Sequence, residues 1–206
     1  ENVGRMLELL DREGLAEDTL VFYTSDNGFF LGEHGLFDKR LMYEPAIRVP
    51  MLLRWPGGVA AGRVDRRHFA LNIDVAPTLL DVAGSAVPAT MQGASWKSLL
   101  RQDDPGWRRD FLYEYYEFPA AHCVRPHHGV RDERWKYIRW TLEPREEELY
   151  DLHTDPNELR NLAGSPQHAE QLQRLRARLA ELRRQYDDHD PPGWAPQPQK
   201  AMRCPA

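Results

Sequence analysis

The sequence has few residues that could cross-link its fold. Its 206 residues include two cysteines, Cys123 and Cys204, and they form no C-x-x-C motif of the kind that binds metal or shuttles electrons. They permit a disulfide or two free thiols, so they do not decide the redox compartment. No apolar run approaches the ~18 residues that a membrane-spanning helix needs. No secretory leader is visible either, and the chain starts without Met inside an amphipathic pattern, as expected of a fragment or processed product.

An excess of positive charge is also missing. The formal net charge is −5, which argues against nucleic acid or an anionic membrane as the main partner. With 41% hydrophobic and 29% charged residues, the composition is that of a globular protein with a core of reasonable size. No internal repeat is present. The length fits one large domain or a domain and a half.

The first hundred residues carry an α/β pattern. Apolar residues spaced three and four apart predict an amphipathic helix over the first dozen residues, and Gly14 is placed to cap it. The continuous apolar run at 19–25 predicts a strand that is covered on both faces, as in a parallel sheet. A second strand is predicted at 49–57 and a helix at 75–83.

The pattern changes after residue 108. Short aromatic and β-branched segments separated by charged turns predict an antiparallel sheet of three or four strands, at 110–118, 123–132, 134–142 and 146–152. A leucine stripe then predicts a core-facing helix that ends near Tyr186, followed by an extended proline-rich tail. We therefore predict two parts. Residues 1–108 form a mostly parallel sheet with flanking helices, and residues 109–206 form a smaller α+β part.

The triplet Asp26-Asn27-Gly28 ends the first predicted strand and has two interpretations. Asn-Gly is the strongest two-residue hairpin signal, but the clean alternation of a second strand does not follow it. Alternatively, the carboxylate of Asp26 and the amide oxygen of Asn27 are ligands of a hard cation such as Ca²⁺ or Mg²⁺. Since Ca²⁺ takes about 6–8 oxygen ligands, the remaining ones must come from elsewhere.

Several basic residues follow this triplet. Lys39 is either a solvated surface lysine or a compact positive charge for an anionic oxygen near the metal, and Arg40 is a candidate substrate contact. His34 is either a structural histidine or a donor to a bound oxyanion. The loop at 121–131 is either a polar entry to a strand or a border of the substrate cleft, and its candidate residues are His122, His127 and His128. Their spacing matches no common zinc pattern.

The order of these motifs resembles a known family. The segment SDNGFFLGEHGLFDKRLMYEPAIRVPMLLRWPG at 25–57 and the later segments NIDVAPTLLDVAG, GVRDERWKYIRW and ELYDLHTDPNELRNLA resemble the formylglycine-dependent sulfatases of the alkaline-phosphatase-like superfamily. Within this family the segments look like bacterial sulfatases similar to N-acetylglucosamine-6-sulfatase and other glycosaminoglycan sulfatases. The resemblance extends to about residue 186.

This resemblance implies the fold, cofactor and chemistry. The chain would be the carboxyl-terminal part of an α/β sandwich, with Asp26 and Asn27 as the second pair of Ca²⁺ ligands. Lys39 would contact the sulfate group and stabilise charge on the leaving oxygen, and His34 lies in a Gly-x-His-Gly element. In this family a hydrated formylglycine, made from Cys or Ser, attacks the sulfur. A sulfated carbohydrate is the implied substrate, and the periplasm or the exterior is the implied location.

The sequence departs from the family pattern at the nucleophile. No Cys/Ser-x-Pro/Ala-x-Arg motif occurs in the chain, and the family's first metal-binding Asp pair is missing. We therefore expect the carboxyl-terminal half of a sulfatase, which needs the amino-terminal half for a complete site and is inactive alone. Two alternatives stay open: a phosphonate or phosphate ester hydrolase of the same superfamily, and a non-catalytic binding module that lacks the nucleophile.

Overall fold

A computed structural model describes residues 1–101, 104–118, 123–142 and 144–189. The strands in chain order are β1 (Val21–Thr24), β2 (Phe30–Leu31), β3 (Phe37–Asp38), β4 (Met51–Arg54), β5 (Asp110–Tyr115), β6 (His127–Asp132), β7 (Trp135–Trp140) and β8 (Glu147–Asp151). The α-helices are α1 (Asn2–Arg12), α2 (Glu44–Ile47), α3 (Val75–Val82) and α4 (Ala169–Gln185). Short 3-10 helices occupy Ala16–Asp18, Glu33–Gly35, Asn72–Asp74 and Pro166–His168.

The chain divides into two compact units. The first contains Glu1–Asp26 and Val49–Arg108, and the second contains Asn27–Arg48 and the residues from Arg109 onward. The division into an α/β part at 1–108 and an α+β part at 109–206 stays a prediction. Within the described residues, no helix is long and apolar enough to cross a membrane. Cys123 is disulfide-bonded, whereas Cys204 and the predicted extended tail lie outside the described residues.

The first unit confirms the predicted helices and strands. α1 ends close to Gly14, which adopts a left-handed φ of +68° as the capping interpretation requires. β1 and β4 form a two-stranded sheet, but they run antiparallel, with Val21 opposite Arg54. The expected parallel pairing is thus not found among the described strands. A continuous apolar run indicates that both faces of a strand are covered, but it does not fix the direction of the neighbouring strand.

A buried carboxylate organises the rest of the first unit. Asp74 is fully buried before α3, and it accepts hydrogen bonds from the backbone N–H groups of Leu71 and Ala94 and from the indole of Trp96. The guanidinium of Arg108 binds both of its oxygens, at 2.6 and 2.7 Å. Asp74 therefore ties the start of α3 to the turns around residues 93–100.

The second unit is a four-stranded antiparallel sheet in the order β5-β6-β7-β8, as predicted. α4 covers one face, and its predicted leucine stripe packs against Val130, Tyr137 and Leu149. The stripe consists of Leu172, Leu175, Leu179 and Leu182, all buried. The segment after β8 forms turns around Asp155 and Pro156, and the next helical turn begins at Pro166.

Segment 27–48 packs on the opposite face of this sheet. Met42 is fully buried there with Ile138, Trp140 and Tyr150. A Cβ atom built on Gly129 of β6 would lie 2.1 Å from the sulfur of Met42, so only glycine permits this close approach. The segment that contains the predicted His34, Lys39 and Arg40 is therefore an integral part of the second unit.

Candidate functional site

The end of β1 in the first unit holds an exposed carboxylate. Asp26 follows β1 after one residue, and the hydroxyl of Ser25 lies 3.3 Å from its Oδ1. The side-chain amide of Asn72 donates to the backbone oxygen of Asp26 at 2.6 Å. This contact fixes the backbone at the strand end, while the carboxylate remains open to solvent. Nothing in the local sequence pattern had singled out Asn72, because it lies 46 residues away along the chain.

Asn27 is the first residue of the second unit and is half-buried. Its amide nitrogen donates to the carbonyl of Gly28 at 2.8 Å, and the N–H of Gly28 donates to the carbonyl of Ala46 at 2.7 Å. A Cβ atom on Gly28 would lie 2.0 Å from the carbonyl oxygen of Pro45. Glycine therefore allows a close backbone approach at this position.

The hairpin interpretation of the triplet is wrong. β1 pairs with β4, which begins at Met51, and β2 pairs with β3 instead of with β1. Since no strand folds back directly after Asn27-Gly28, the two residues do not form a hairpin turn. The hairpin no longer competes with the metal-ligand interpretation, which stays a prediction.

Asp26 and Asn27 offer the type of oxygen ligand that a hard cation takes, but two ligands are too few for a complete site. A carboxylate and an amide oxygen are typical ligands of Ca²⁺. Among the described residues, however, no group of three or more His, Cys, Asp or Glu side chains is arranged to hold a metal ion. Asp26 and Asn27 can therefore supply only part of a coordination shell.

His34 lies in a tight turn of the second unit. Its backbone has a left-handed φ of +55°, and the flanking Gly32 and Gly35 also have positive φ. The half-buried ring stacks on Tyr43 with centroids 4.5 Å apart, and Phe30 contacts it edge-on. The turn geometry and the aromatic contacts together hold the imidazole in one orientation.

Tyr43 connects His34 to a half-buried carboxylate, Glu148, that the sequence had not indicated. The hydroxyls of Tyr43 and Tyr150 each donate to Oε2 of Glu148 at 2.7 Å, and the indole of Trp140 donates to Oε1 at 2.7 Å. Burial and the carboxylate of Glu148 raise the pKa of Tyr43 above its ordinary value. The phenol is therefore a fixed neutral donor whose ring supports the imidazole.

Lys39 and Arg40 follow β3 and differ in environment. Lys39 is exposed, and it makes no ion pair with another described side chain. Arg40 is half-buried, and its guanidinium contacts both oxygens of Asp38 at 2.5 and 2.6 Å and Glu117 at 3.3 Å. Lys39 is thus open to a ligand, whereas Arg40 already binds two carboxylates.

A buried charge cluster anchors α2 beneath this segment. The ammonium of Lys136 is fully buried and lies 3.0 Å from Glu44 and 2.5 Å from Glu158. Its contact with Glu158 is an ion pair by distance without hydrogen-bond alignment. Glu158 also accepts the backbone N–H of Glu44 at 2.7 Å, and Arg131 donates to the Glu44 carboxylate at 3.1 Å. These contacts tie the start of α2 to the sheet.

The pKa values of the two carboxylates in this cluster shift in opposite directions. Burial raises the pKa of Glu158, although Lys136 opposes that shift. Burial also disfavours the charged form of Glu44, but Lys136 and Arg131 outweigh it and lower the pKa of Glu44. The cluster therefore contains one firmly ionised carboxylate and one that takes up a proton more readily.

His127 and His128 are buried in β6. Nδ1 of His127 lies 3.0 Å from the carbonyl of Arg125, and its ring packs among Tyr113, Tyr115 and Trp140. Burial lowers the pKa of His127, so the neutral imidazole is favoured.

Nε2 of His128 lies 2.7 Å from the hydroxyl of Tyr116. Neither histidine lies on an open surface of this chain, so their role in substrate binding stays a prediction. His122 lies outside the described residues.

A family model and several known proteins match most of the chain. The model of N-sulphoglucosamine sulphohydrolase, C-terminal, matches residues 32–185. An N-acetylglucosamine-6-O-sulfatase of Bacteroides thetaiotaomicron is 43% identical over 194 residues, which are 93% of this chain and 35% of that protein. The chain therefore spans about a third of the length of the curated relatives that it matches.

Solved structures share the fold. A protein in complex with its substrate D-Glucosamine-2-N, 6-O-disulfate is 42% identical with a TM-score of 0.89, over 94% of this chain and 40% of that chain. A phosphonate monoester hydrolase from Silicibacter pomeroyi is 29% identical with a TM-score of 0.80, over 91% of this chain and 39% of that chain. The mixed α/β architecture expected from the sequence is confirmed by this likeness.

Proposed function

Because the chain belongs to the N-sulphoglucosamine sulphohydrolase C-terminal family, we propose that the protein is a sulfuric ester hydrolase. The observation that carries this proposal is the 43% identity to an N-acetylglucosamine-6-O-sulfatase across 93% of the chain. The chain contains no formylglycine motif and about a third of the length of such relatives, so the nucleophile is proposed to lie outside these residues. On this proposal, the 206 residues alone do not turn over a sulfate ester.

Asp26 and Asn27 are proposed as ligands of a calcium ion. Their oxygen donors suit Ca²⁺, and Asn72 holds the backbone of Asp26 in place. When bound, Ca²⁺ would neutralise charge on the sulfate oxygens. The carboxylate of Asp26 contributes a fixed negative charge, and the amide of Asn27 contributes a neutral oxygen. The remaining ligands are proposed to come from outside this chain.

Lys39 is proposed to bind the sulfate group. Its exposed ammonium can donate to an anionic oxygen and stabilise the charge that develops on the leaving oxygen. His34 is proposed to act beside it, as a donor whose ring is held by Tyr43. Arg40 is proposed to support Lys39 indirectly, because it binds the carboxylate of Asp38, the residue before Lys39. A direct substrate contact by Arg40 stays a prediction.

The substrate class is proposed from the relatives. A similar structure contains D-Glucosamine-2-N, 6-O-disulfate as its substrate, and similar curated proteins include sulfatases of N-acetylglucosamine. A sulfated amino sugar is therefore the first substrate to assay. The family also suggests a periplasmic or secreted location, which cell fractionation with an antibody to the protein would test.

A phosphonate or phosphate ester hydrolase is the second candidate. It is favoured by the likeness to phosphonate monoester hydrolases, whose fold this chain shares at a TM-score of 0.80. The two candidates differ in the central atom of the ester, and both need a cation and a positive charge near the leaving oxygen. Parallel assays of a sulfate monoester and a phosphonate monoester with the complete protein separate them.

The decisive variants are Lys39→Ala and Lys39→Arg in the complete protein. We expect Lys39→Ala to lower kcat for a sulfated amino sugar by about 100-fold, because one preorganised positive donor is lost, and Lys39→Arg to retain part of the activity. Arg160→Ala removes an equally exposed charge as a control. Full activity of Lys39→Ala would contradict the assigned role.

A non-catalytic binding module is the third interpretation. The encoded sequence that precedes these residues distinguishes it from an enzyme. A Cys/Ser-x-Pro/Ala-x-Arg motif there would supply the nucleophile, and its absence from the complete protein would favour a binding role.

A further inference from the structure

The second unit contains an open groove with an unusual number of arginines. Its volume is about 680 Å³, and its walls are the end of β7, the start of β8 and the carboxyl-terminal half of α4. A cavity of this size is in the range that holds small ligands. The arginines in its lining are Arg139, Arg145, Arg176, Arg183 and Arg184.

The periodicities of the two walls explain why these side chains meet. On β7, Arg139 shares a face with Tyr137, which is buried against α4, so Arg139 continues that face beyond the core. On α4, Arg176, Ala180 and Arg184 are spaced four residues apart and so form one stripe along the helix. The small side chain of Ala180 leaves the space between the two arginines open.

The acidic side chains of the groove are already paired. Glu147 binds Arg176 through both oxygens, with one contact at 2.8 Å, and also accepts the hydroxyl of Tyr137. Asp188 pairs with Arg183 at 2.5 Å.

The third acid, Glu146, pairs with Arg125 at 2.6 Å. Each carboxylate in the lining therefore has its own arginine partner.

Two arginines on opposite walls make no hydrogen bond or ion pair with another described side chain. They are Arg139 and Arg184, and both are exposed. The pKa of Glu147, which hydrogen bonds from Arg176 lower most, is lowered further by the charge of Arg139, so Arg139 acts on this carboxylate only at longer range. The lining also contains Arg176 and Arg183, whose charges are already paired with Glu147 and Asp188. The guanidinium groups of Arg139 and Arg184 can thus each bind a planar or tetrahedral oxyanion through two hydrogen bonds.

A different explanation exists for one of the two residues. Arg184 lies in the last turn of α4, where a cation interacts favourably with the helix dipole. That role does not apply to Arg139, which lies on a strand. The dipole explanation also predicts an effect on stability without an effect on ligand binding, so the two explanations can be separated by measurement.

We propose that this groove binds a sulfate-bearing unit of an anionic carbohydrate chain, with Arg139 and Arg184 as its oxyanion contacts. The oxyanion chemistry follows from the charges in the groove. The identity of the ligand as a sulfated carbohydrate rests on the proposed function. The groove would hold part of a longer substrate and so favour polymeric over monomeric sulfate esters.

The test compares the complete protein with the double variant Arg139→Gln/Arg184→Gln. Titration calorimetry with a heparin hexasaccharide should show roughly tenfold weaker binding in this variant, with less dependence on salt, because two exposed charge contacts are lost. The control Arg109→Gln/Arg160→Gln removes two exposed charges outside the groove lining and should stay within about twofold of the wild type. The desulfated hexasaccharide and sodium sulfate are the comparison ligands.

The outcomes distinguish a sulfated carbohydrate from free sulfate as the ligand, and ligand binding from helix stabilisation as the role of Arg184. Loss of affinity for the sulfated hexasaccharide, with little binding of the desulfated form, supports the proposal. Equal affinity of the double variant and the wild type overturns it, as does a lower Tm with unchanged affinity. Tight binding of sodium sulfate alone, with no gain from the sugar chain, overturns the assignment of a carbohydrate ligand.

A turnover assay distinguishes this proposal from the proposed function. The double variant should hydrolyse a monomeric sulfate ester at the wild-type rate, because neither arginine belongs to the proposed catalytic segment. If the wild type releases no sulfate from any ester, the proposed function fails. The difference in hexasaccharide affinity would still decide whether the groove binds oxyanions.

Discussion

The ring of His34 stacks on the ring of Tyr43, with centroids 4.5 Å apart and an angle of 13° between their planes. Tyr43 in turn donates its hydroxyl to Glu148, which lies 105 residues further along the chain. His34, a residue of the proposed catalytic segment, is thus connected through Tyr43 to a half-buried carboxylate of the antiparallel sheet.

The first prediction concerns Tyr43. Tyr43→Phe keeps the ring under His34 but loses the hydrogen bond to Glu148, so we expect kcat to remain within about threefold and stability to fall by about 1 kcal/mol. Tyr43→Leu also removes the ring, which contributes roughly 0.5–1.5 kcal/mol as an aromatic pair, and should lower kcat/KM further. Steady-state kinetics and urea unfolding of the complete protein measure both effects. Equal kcat/KM in the two variants would show that the stacking does not orient His34 for catalysis.

The second prediction concerns metal removal. If Asp26 is a calcium ligand, chelation should lower the Tm of the complete protein, because a ligand that binds only the folded state stabilises it. Asp26→Asn should reduce both the chelation-dependent change in Tm and the calcium content. Asp18→Asn makes the same chemical change at an exposed acid and should leave both unchanged. A normal calcium content in Asp26→Asn would remove this residue from the ligand set.

The third prediction concerns the buried cluster under α2. Lys136→Ala leaves the carboxylates of Glu44 and Glu158 without their buried cation, so we expect a loss of about 3–5 kcal/mol in the free energy of unfolding. Adding Glu158→Gln should recover part of this loss, because an unpaired buried charge disappears. Lys97→Ala breaks the more exposed pair with Asp81 and should cost less than about 1 kcal/mol. Urea unfolding of the single and double variants gives the coupling energy between Lys136 and Glu158. Additive changes in the free energy of unfolding would contradict a direct interaction between these charges.

The fourth prediction concerns acid stability. Hydrogen bonds from the guanidinium of Arg134 lower the pKa of Asp151 to about 2, from an ordinary value near 3.8. Because the folded-state pKa is the lower one, the ionised carboxylate stabilises the fold above about pH 3.8, and this contribution is lost as the pH falls towards 2.

Asp151→Asn should therefore reduce stability at neutral pH and flatten the decline between pH 4 and 2. Asp187→Asn changes an exposed carboxylate in the same way and serves as the control. Urea unfolding at a series of pH values measures both variants. An Asp151→Asn profile as steep as that of the wild type would contradict the assigned pairing.

The sequence predicted most elements because their signals were local. The leucine stripe of α4 has a helical period, and the aromatic and β-branched segments of β5 to β8 are separated by charged turns, so each signal lies within its own element. The direction of β1 against β4 could not be read in this way, because strand direction depends on chain connection and not on hydrophobicity. The turn at Asp155 likewise has no apolar period, because backbone hydrogen bonds to Asp151 fix it.

The candidate site was predicted only in part. Asp26, Asn27 and Lys39 were indicated by residue chemistry and by a family resemblance, both of which act within a short stretch of sequence. Asn72 and Glu148 were missed because their contacts with that stretch bridge 46 and 105 residues. No local pattern reports such long-range hydrogen bonds.

The most direct measurement of the central claim is sulfate release from a sulfated amino sugar by the complete protein, with and without chelator, beside the isolated 206-residue chain. We expect release by the complete protein that falls on chelation, falls about 100-fold in Lys39→Ala, and is absent for the isolated chain. A phosphonate monoester hydrolysed in preference to the sulfate ester would contradict the claim. So would turnover of the sulfate ester by the isolated chain.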